Sequence, residues 1–346
     1  MNFLIYGANG YTGELITRFA AERGLRPLVA GRREPEMRRV AERFGLEYRV
    51  FSLEDSSALD AALQDVELVL HCAGPFSITS RPMLEACLRN QRHYLDITGE
   101  ISVFEYCASL DKKARAAGIM IMPGVGFDVV PSDCLALHLK KRLPDATHLT
   151  LAFFGVGRLS HGTLATMIMN LGRGGAIRKD GRITPVPAAF KTREINFGTF
   201  RKVGVTIPWG DVSTAFYSTG IPNIEVFSVV PRSALKLMRT SRYFGRLLVF
   251  APVQQFLQSR IPPGGPSDEE RASGKSLLWG EVVNQAGNQA EARMETPEGY
   301  TLTALSALKI CEKILAGDYS PGFQTPAKAF GADLILEIDG VSRKDP

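Results

Sequence analysis

The chain has 346 residues, 45% of them hydrophobic and 22% charged, a composition that excludes disorder, collagen and a disulfide scaffold. Its length exceeds the roughly 250 to 300 residues at which single cores stop growing, so two domains are expected. The net charge of +5 is spread along the chain, which leaves no footprint for nucleic acid, and the five cysteines form no CxxC pair and sit in apolar stretches, as in a reduced, cytoplasmic protein.

In chain order, residues 3–6 read as a buried strand and 14–23 as a helix stopped by Gly24. The alternation then repeats, with strands over 27–30, 48–53, 67–72, 94–97 and 119–122 and helices over 36–44, 57–63, 81–90 and 103–117. Such alternation predicts a doubly wound parallel sheet covered on both faces, an N-terminal Rossmann domain over about 1–130. Beyond residue 135 the strands 147–154, 202–207, 224–230, 277–284 and 290–295 follow one another with few helices, those being 164–171 and 243–257. A second α+β domain over 131–299, built on a mixed, mostly antiparallel sheet, is expected there, for substrate and dimerisation. Residues 300–315 form an amphipathic helix, and the segment 300–340 is expected to return to the first domain. The first residues show neither a charged n-region nor a cleavage-type segment, so the fold is expected to start directly with the first strand, and no apolar run is long enough to span a membrane.

The strongest motif is Gly7-Ala8-Asn9-Gly10-Tyr11-Thr12-Gly13 between the first strand and the first helix. Glycine there permits the tight turn, the close approach of a pyrophosphate and close helix packing, while the helix N-terminus offers N–H groups to the anion. At the end of the second strand, where NAD-selective folds carry an acid, stand Gly31-Arg32-Arg33. No carboxylate there opposes a 2′-phosphate, and Arg32 offers it a fork of donors, so NADP(H) is favoured over NAD. Asp55 is either an adenine contact or a helix cap. Ala73-Gly74-Pro75 after the fourth strand lets the backbone approach the nicotinamide side, whereas Cys72 reads as core.

The proton donor is less legible. None of the nine tyrosines is followed four residues on by lysine, against a short-chain reductase mechanism. Asp128 and Ser132, at the carboxyl edge of the sheet, are candidates to bind substrate or act in catalysis, with helix capping an equal alternative for this segment. Tyr94, Asp96 and Glu100 stand on the same edge, the two acids also being able to cap the following helix. His161, in a glycine-rich turn, is a further candidate beside the simpler reading of a loop histidine. The other histidines lack ligand spacing, and no metal is expected. Residues 242–260 carry Leu247, Leu248, Val249, Phe250 and Phe256 flanked by Arg242, Arg246 and Arg260. A helix packed on the second sheet is expected, with contact to a membrane surface or a lipid-like substrate as the alternative.

Taken with Tyr94-Leu95-Asp96-Ile97-Thr98-Gly99-Glu100 and residues 123–133, these motifs resemble the saccharopine dehydrogenase-like oxidoreductases, and within them the trans-acting enoyl reductase branch. Gly265-Pro266-Ser267, Gly299-Tyr300 and Thr325-Pro326-Ala327 extend the resemblance to the C-terminus. Asn9, where that family usually carries a smaller residue, and His161, where it more often shows glycine, depart from it. The resemblance implies NADP(H) and hydride transfer to or from an enoyl group of a small or lipid-like acyl substrate. An imine or amino-acid substrate, a non-catalytic NADP sensor and a homodimer remain open alternatives.

Overall fold

A computed structural model of the chain describes residues 2–155 and 158–346, with the side chains of Arg246 and Leu247 outside the description. The first elements are β1 (Phe3–Tyr6), α1 (Tyr11–Glu22), β2 (Leu28–Gly31), α2 (Glu34–Phe44), β3 (Tyr48–Val50), α3 (Ser56–Ala62), β4 (Leu68–His71), α4 (Phe76–Asn90), β5 (His93–Asp96), α5 (Ile101–Ser109), α6 (Asp111–Ala116) and β6 (Met120–Met122). The single helix expected over 103–117 is two. At Leu110 the backbone leaves the helical region (φ −94°, ψ 3°), and the Ser109 hydroxyl bonds the Tyr106 carbonyl at 2.6 Å, in place of a regular helical ladder.

The chain continues through α7 (Val130–Arg142), β7 (His148–Gly155), α8 (His161–Asn170), β8 (Gly175–Lys179), β9 (Arg182–Val186), β10 (Thr192–Asn196), β11 (Arg201–Thr206), α9 (Asp211–Thr219), β12 (Asn223–Val229), α10 (Arg232–Leu248), α11 (Ala251–Ser259), α12 (Asp268–Ser273), β13 (Lys275–Val283) and β14 (Gln289–Pro297). It closes with α13 (Gly299–Leu315), β15 (Gly322–Phe323), α14 (Pro326–Phe330) and β16 (Ser342–Lys344). The helix expected over 243–257 falls on the end of α10 and most of α11, because Pro252 suits a first helical turn and not the interior of a longer helix.

Two compact units result, one of residues Met1–Val130 with Tyr300–Ala329 and one of Pro131–Gly299 with Phe330–Pro346. In the first, seven parallel strands run in the order β15-β6-β5-β4-β1-β2-β3. This is a Rossmann sheet extended by β15, and its order reverses between β1 and β4, the place where such folds bind ligands. β1 and β4 are buried along their whole length, as their uninterrupted apolar sequences require of central parallel strands.

The second unit holds a nine-stranded mixed sheet, β10-β11-β12-β7-β13-β14-β16, with β8 pairing β12 and β9. Only β12 and β7 are parallel among its pairs. One face packs on α7 so closely that a Cβ on Gly280 would lie 2.6 Å from Leu139. On the other face Ile195 of β10 joins Ala152, Phe227 and Trp279 in one core, and Arg193 reaches Glu281 at 2.7 Å although three strands intervene. The sheet is therefore strongly coiled.

Candidate functional site

The glycine loop follows β1 at the switch point. Gly7 has φ +86°, and a Cβ there would lie 2.8 Å from Ala73; a Cβ on Gly13 would lie 2.3 Å from the Gly7 carbonyl oxygen. Both glycines are thus demanded by the fold. Gly10 differs: its φ is −75°, it is exposed, and its Cβ would meet nothing nearer than 3.4 Å. No side chain caps the N-terminus of α1, which begins at Tyr11 and Thr12, so its N–H groups and the positive end of its dipole face an approaching anion. The first unit can therefore cradle a pyrophosphate at Gly10 without altering its own packing, with Ala8 buried beneath the loop.

At the end of β2 the structure separates two neighbouring arginines. Arg33 pairs with Glu36 at 2.9 Å, while Arg32 is exposed and has no carboxylate partner among the described residues. The surrounding cations are all paired: Arg38 with Glu34 at 2.6 Å, and Arg39 and Arg43 with Glu14 at 2.9 and 2.5 Å. Sequence reading overlooked Glu36. Its second oxygen accepts from the Asn9 side chain, so the residue that departs from the family pattern ties the glycine loop to α2. The placement of Glu36 in the first turn of α2 was the available signal. Gly31 leaves room for that arrangement, since its Cβ would lie 2.9 Å from the Met37 sulfur and 3.3 Å from Asn9. Asp55 caps α3, one oxygen accepting from Ser57 and Ala58 N–H at 3.1 and 3.0 Å.

The turn Ala73-Gly74-Pro75 is held from below. Buried His71 donates through Nε2 to the Thr79 hydroxyl at 3.0 Å, which donates in turn to the Ala73 carbonyl at 2.6 Å. Burial lowers the imidazole to about 3, so it is a neutral positioning group. The N–H groups of Phe76 and Ser77 donate to Glu100 at 2.8 and 3.2 Å. Glu100 therefore caps α4, not the helix that follows it, and occupies the helix end nearest this turn. Cys72 is half-buried rather than part of the core, and desolvation of its sulfur with the charge of Asp96 pushes the thiol well above its usual range, as for an inert residue.

Asp96 is fully buried and accepts from the Tyr94 hydroxyl at 2.8 Å, Thr98 N–H at 3.0 Å and Gly124 N–H at 2.9 Å. Burial nevertheless raises it to about 6. It brackets the ends of β5 and β6. Tyr94 is itself wholly buried, with its ionisation raised far above 10, which removes it as a proton donor to substrate. Asp128 stands in the loop after β6 with its carboxyl against Gly99, where a Cβ would lie 2.7 Å away, and burial raises it to about 7. The α13 helix fixes that loop, Thr303 accepting from Phe127 N–H at 3.0 Å and Ser306 donating to the Val125 carbonyl at 2.8 Å. Ser132 is buried within α7, and His161 is exposed at the start of α8; both belong to the second unit. The structure thus gathers the glycine loop, Ala73-Gly74-Pro75 and Asp128 in one unit and leaves Ser132 and His161 outside it.

Fold and loop together define a Rossmann dinucleotide-binding domain. Residues 3–122 match the family of the saccharopine dehydrogenase NADP binding domain, which makes the first unit an NADP-binding one. Over 215 residues the chain is 25% identical to a saccharopine dehydrogenase-like oxidoreductase of Mus musculus, covering 54% of this chain and 50% of that protein. It is 30% identical over 179 residues to a trans-acting enoyl reductase of Mycobacterium leprae, covering 47% and 43%. The matched region spans half or less of these relatives. Saccharopine dehydrogenase (L-Glu forming) of Saccharomyces cerevisiae shares the fold, with a TM-score of 0.70 at 13% identity over 100% of this chain and 99% of that one. Residues 3–122 thus match the saccharopine dehydrogenase NADP binding domain, and about half of the chain is similar to the saccharopine dehydrogenase-like oxidoreductases and to the trans-acting enoyl reductases.

Proposed function

We propose that the protein is an NADP(H)-dependent oxidoreductase acting on a conjugated enoyl group. The observation that carries the cofactor preference is Arg32, the unpaired cation at the end of β2 in a neighbourhood where every other arginine named above has its carboxylate. It receives the 2′-phosphate, while Arg33, engaged with Glu36, flanks it. Gly7, Ala8, Asn9, Gly10, Tyr11, Thr12 and Gly13 enclose the pyrophosphate against α1, Gly31 shapes the ribose end, and Ala73, Gly74 and Pro75 form the nicotinamide side. Asp55 keeps one oxygen beyond its capping bonds for the adenine edge.

Bound NADPH supplies a hydride. The carbon skeleton that accepts it must also receive a proton, and Asp128 is the group suited to hold one: its carboxyl, raised to about 7, retains its proton near neutrality. His71, Thr79 and Glu100 fix the turn on the nicotinamide side, and α13 fixes the loop that bears Asp128. The enoyl class is supported by the relatives named enoyl reductases.

The test is a titration with NADPH and NADH followed by single-turnover loss of nicotinamide absorbance. NADPH is expected to bind more tightly than NADH and to be oxidised by enoyl thioesters. Oxidation by 2-oxo acid and amine mixtures alone would move the substrate to the imine class, binding without turnover would favour the sensor, and binding of neither nucleotide would overturn the cofactor assignment.

A further inference from the structure

The second unit carries a layer of helices unlike the rest of its surface. α8 and α11 contain no buried residue among those described, and in α10 Ser241 is buried while most of the helix is open. The three helices hold to one another: Gly172 and Gly245 meet backbone to backbone, where a Cβ on Gly172 would lie 2.7 Å from the Gly245 carbonyl, and Gln254 donates to the carbonyls of Ile168 and Met169 at 3.4 and 3.3 Å. The expectation of a helix packed into the second sheet is therefore corrected: this layer shows apolar side chains to the outside. Tyr243 is 84% exposed, Phe244 59%, Phe250 57% and Phe256 58%.

Charge is distributed as unusually as apolarity. From Val226 to Ser267 the sequence has no acidic residue, yet it carries six cations. Arg232, Lys236, Arg239 and Arg260 have no carboxylate partner among the described residues. Arg232, Lys236, Arg239, Arg242 and Tyr243 line one groove of about 340 Å³. Like charges three and four residues apart repel along a helix, and exposed aromatic rings gain nothing in water, so both features call for a partner that is anionic and apolar at once. A second copy of the chain does not meet that description, because an isologous contact would set this cationic face against itself. Duplex nucleic acid offers phosphates but keeps its bases stacked inside, with no apolar phase for four exposed rings.

We infer that α8, α10 and α11 form a docking surface for an anionic phospholipid bilayer. Headgroup phosphates occupy the groove along α10, and Phe244, Phe250 and Phe256 enter the boundary between headgroups and acyl chains. No helix among the described residues is long and apolar enough to cross a membrane, so the contact is interfacial. The inference does not depend on the proposed reaction.

The experiment is co-sedimentation of the full chain with phosphatidylcholine vesicles with and without phosphatidylserine. Binding is expected only with phosphatidylserine and should fall steeply with added sodium chloride, a readout that needs no variant. The double reversal Lys236→Glu/Arg239→Glu should weaken it at least about thirtyfold, at about fivefold per cation. Phe250→Asp should weaken it about tenfold. Unchanged NADPH affinity and thermal unfolding in both variants show that they fold. Absence of binding to either vesicle, salt-insensitive binding, or binding unaltered in both variants would overturn the inference; so would a dimer in sedimentation velocity that Phe250→Asp dissolves, since the face would then belong to a second copy.

Discussion

Among the described residues, the surroundings of the glycine loop and α10 both bear cations without carboxylate partners, and they arrive there differently. Around the glycine loop, acids and bases are interleaved along α1 and α2 so that Arg33, Arg38, Arg39 and Arg43 are all neutralised, and Arg32 stands out as a single unspent charge. Along α10 no acid is available at all, and an entire helix face is left uncompensated. The first pattern fits one phosphate in a defined place; the second fits an extended anionic surface. The two also differ in what lies beneath. The glycine loop rests on a packed sheet in which Leu4 and Ile5 are inaccessible, whereas α8 and α11 bury no described side chain completely.

That contrast can be broken or sharpened by experiment. The largest effect is expected at Asp128, where Asn keeps the shape and removes the proton: single-turnover oxidation of NADPH should slow by about 100-fold or more, with NADPH affinity unchanged. An equal loss of affinity and rate would make Asp128 a structural residue. Its ionisation has a second consequence. Because its folded value of about 7 lies above the ordinary carboxyl value, the stability it lends is complete in acid and drains away as pH rises from about 4 through 7. Urea midpoints of Asp128→Asn should therefore fall less between pH 5 and pH 8, each pH being on the order of these ionisations, than those of the parent.

Gly13→Val comes next. Its Cβ would lie 2.3 Å from a backbone oxygen, so the loop must move, and NADPH affinity should drop about 100-fold together with a loss of about 1 to 3 kcal/mol in stability. Arg32→Ala should weaken NADPH by about 10- to 100-fold while leaving NADH nearly unchanged, and Arg39→Ala, paired with Glu14, should change neither appreciably. Equal loss of both nucleotides in Arg32→Ala would sink the 2′-phosphate assignment. The smallest effect belongs to the helical layer: Phe256→Ser should shift chemical unfolding by no more than about 0.5 kcal/mol, because the ring is already largely in water. A loss several times larger would show that α11 is covered in solution.

The sequence was most legible where one residue's neighbours in the chain decide its state. The β-α alternation placed all six sequential strands of the first sheet, since parallel central strands must be continuously apolar and each glycine stop or polar break interrupts the pattern. The second unit was read less completely. The β8-β9 hairpin was missed although Asp180-Gly181 signals it, both residues having positive φ as a type I′ turn requires. β10 was missed because its polar sequence, Thr-Arg-Glu-Ile-Asn, lacks a strand pattern, and only the coiling of the sheet brings Ile195 against Trp279.

By itself the sequence determined the Rossmann order, the glycine loop and the arginine at the end of the second strand, all features set by local backbone and side-chain chemistry. Tertiary structure alone decided which arginine is free, since pairing of Arg39 with Glu14 joins residues 25 apart. It also assigned Glu100 to the end of a helix that precedes it, spent the Tyr94 hydroxyl on Asp96, and left the rings of α10 and α11 outside the core. Pairing, burial and exposure are properties of surfaces brought together by folding, and no window along the chain contains them.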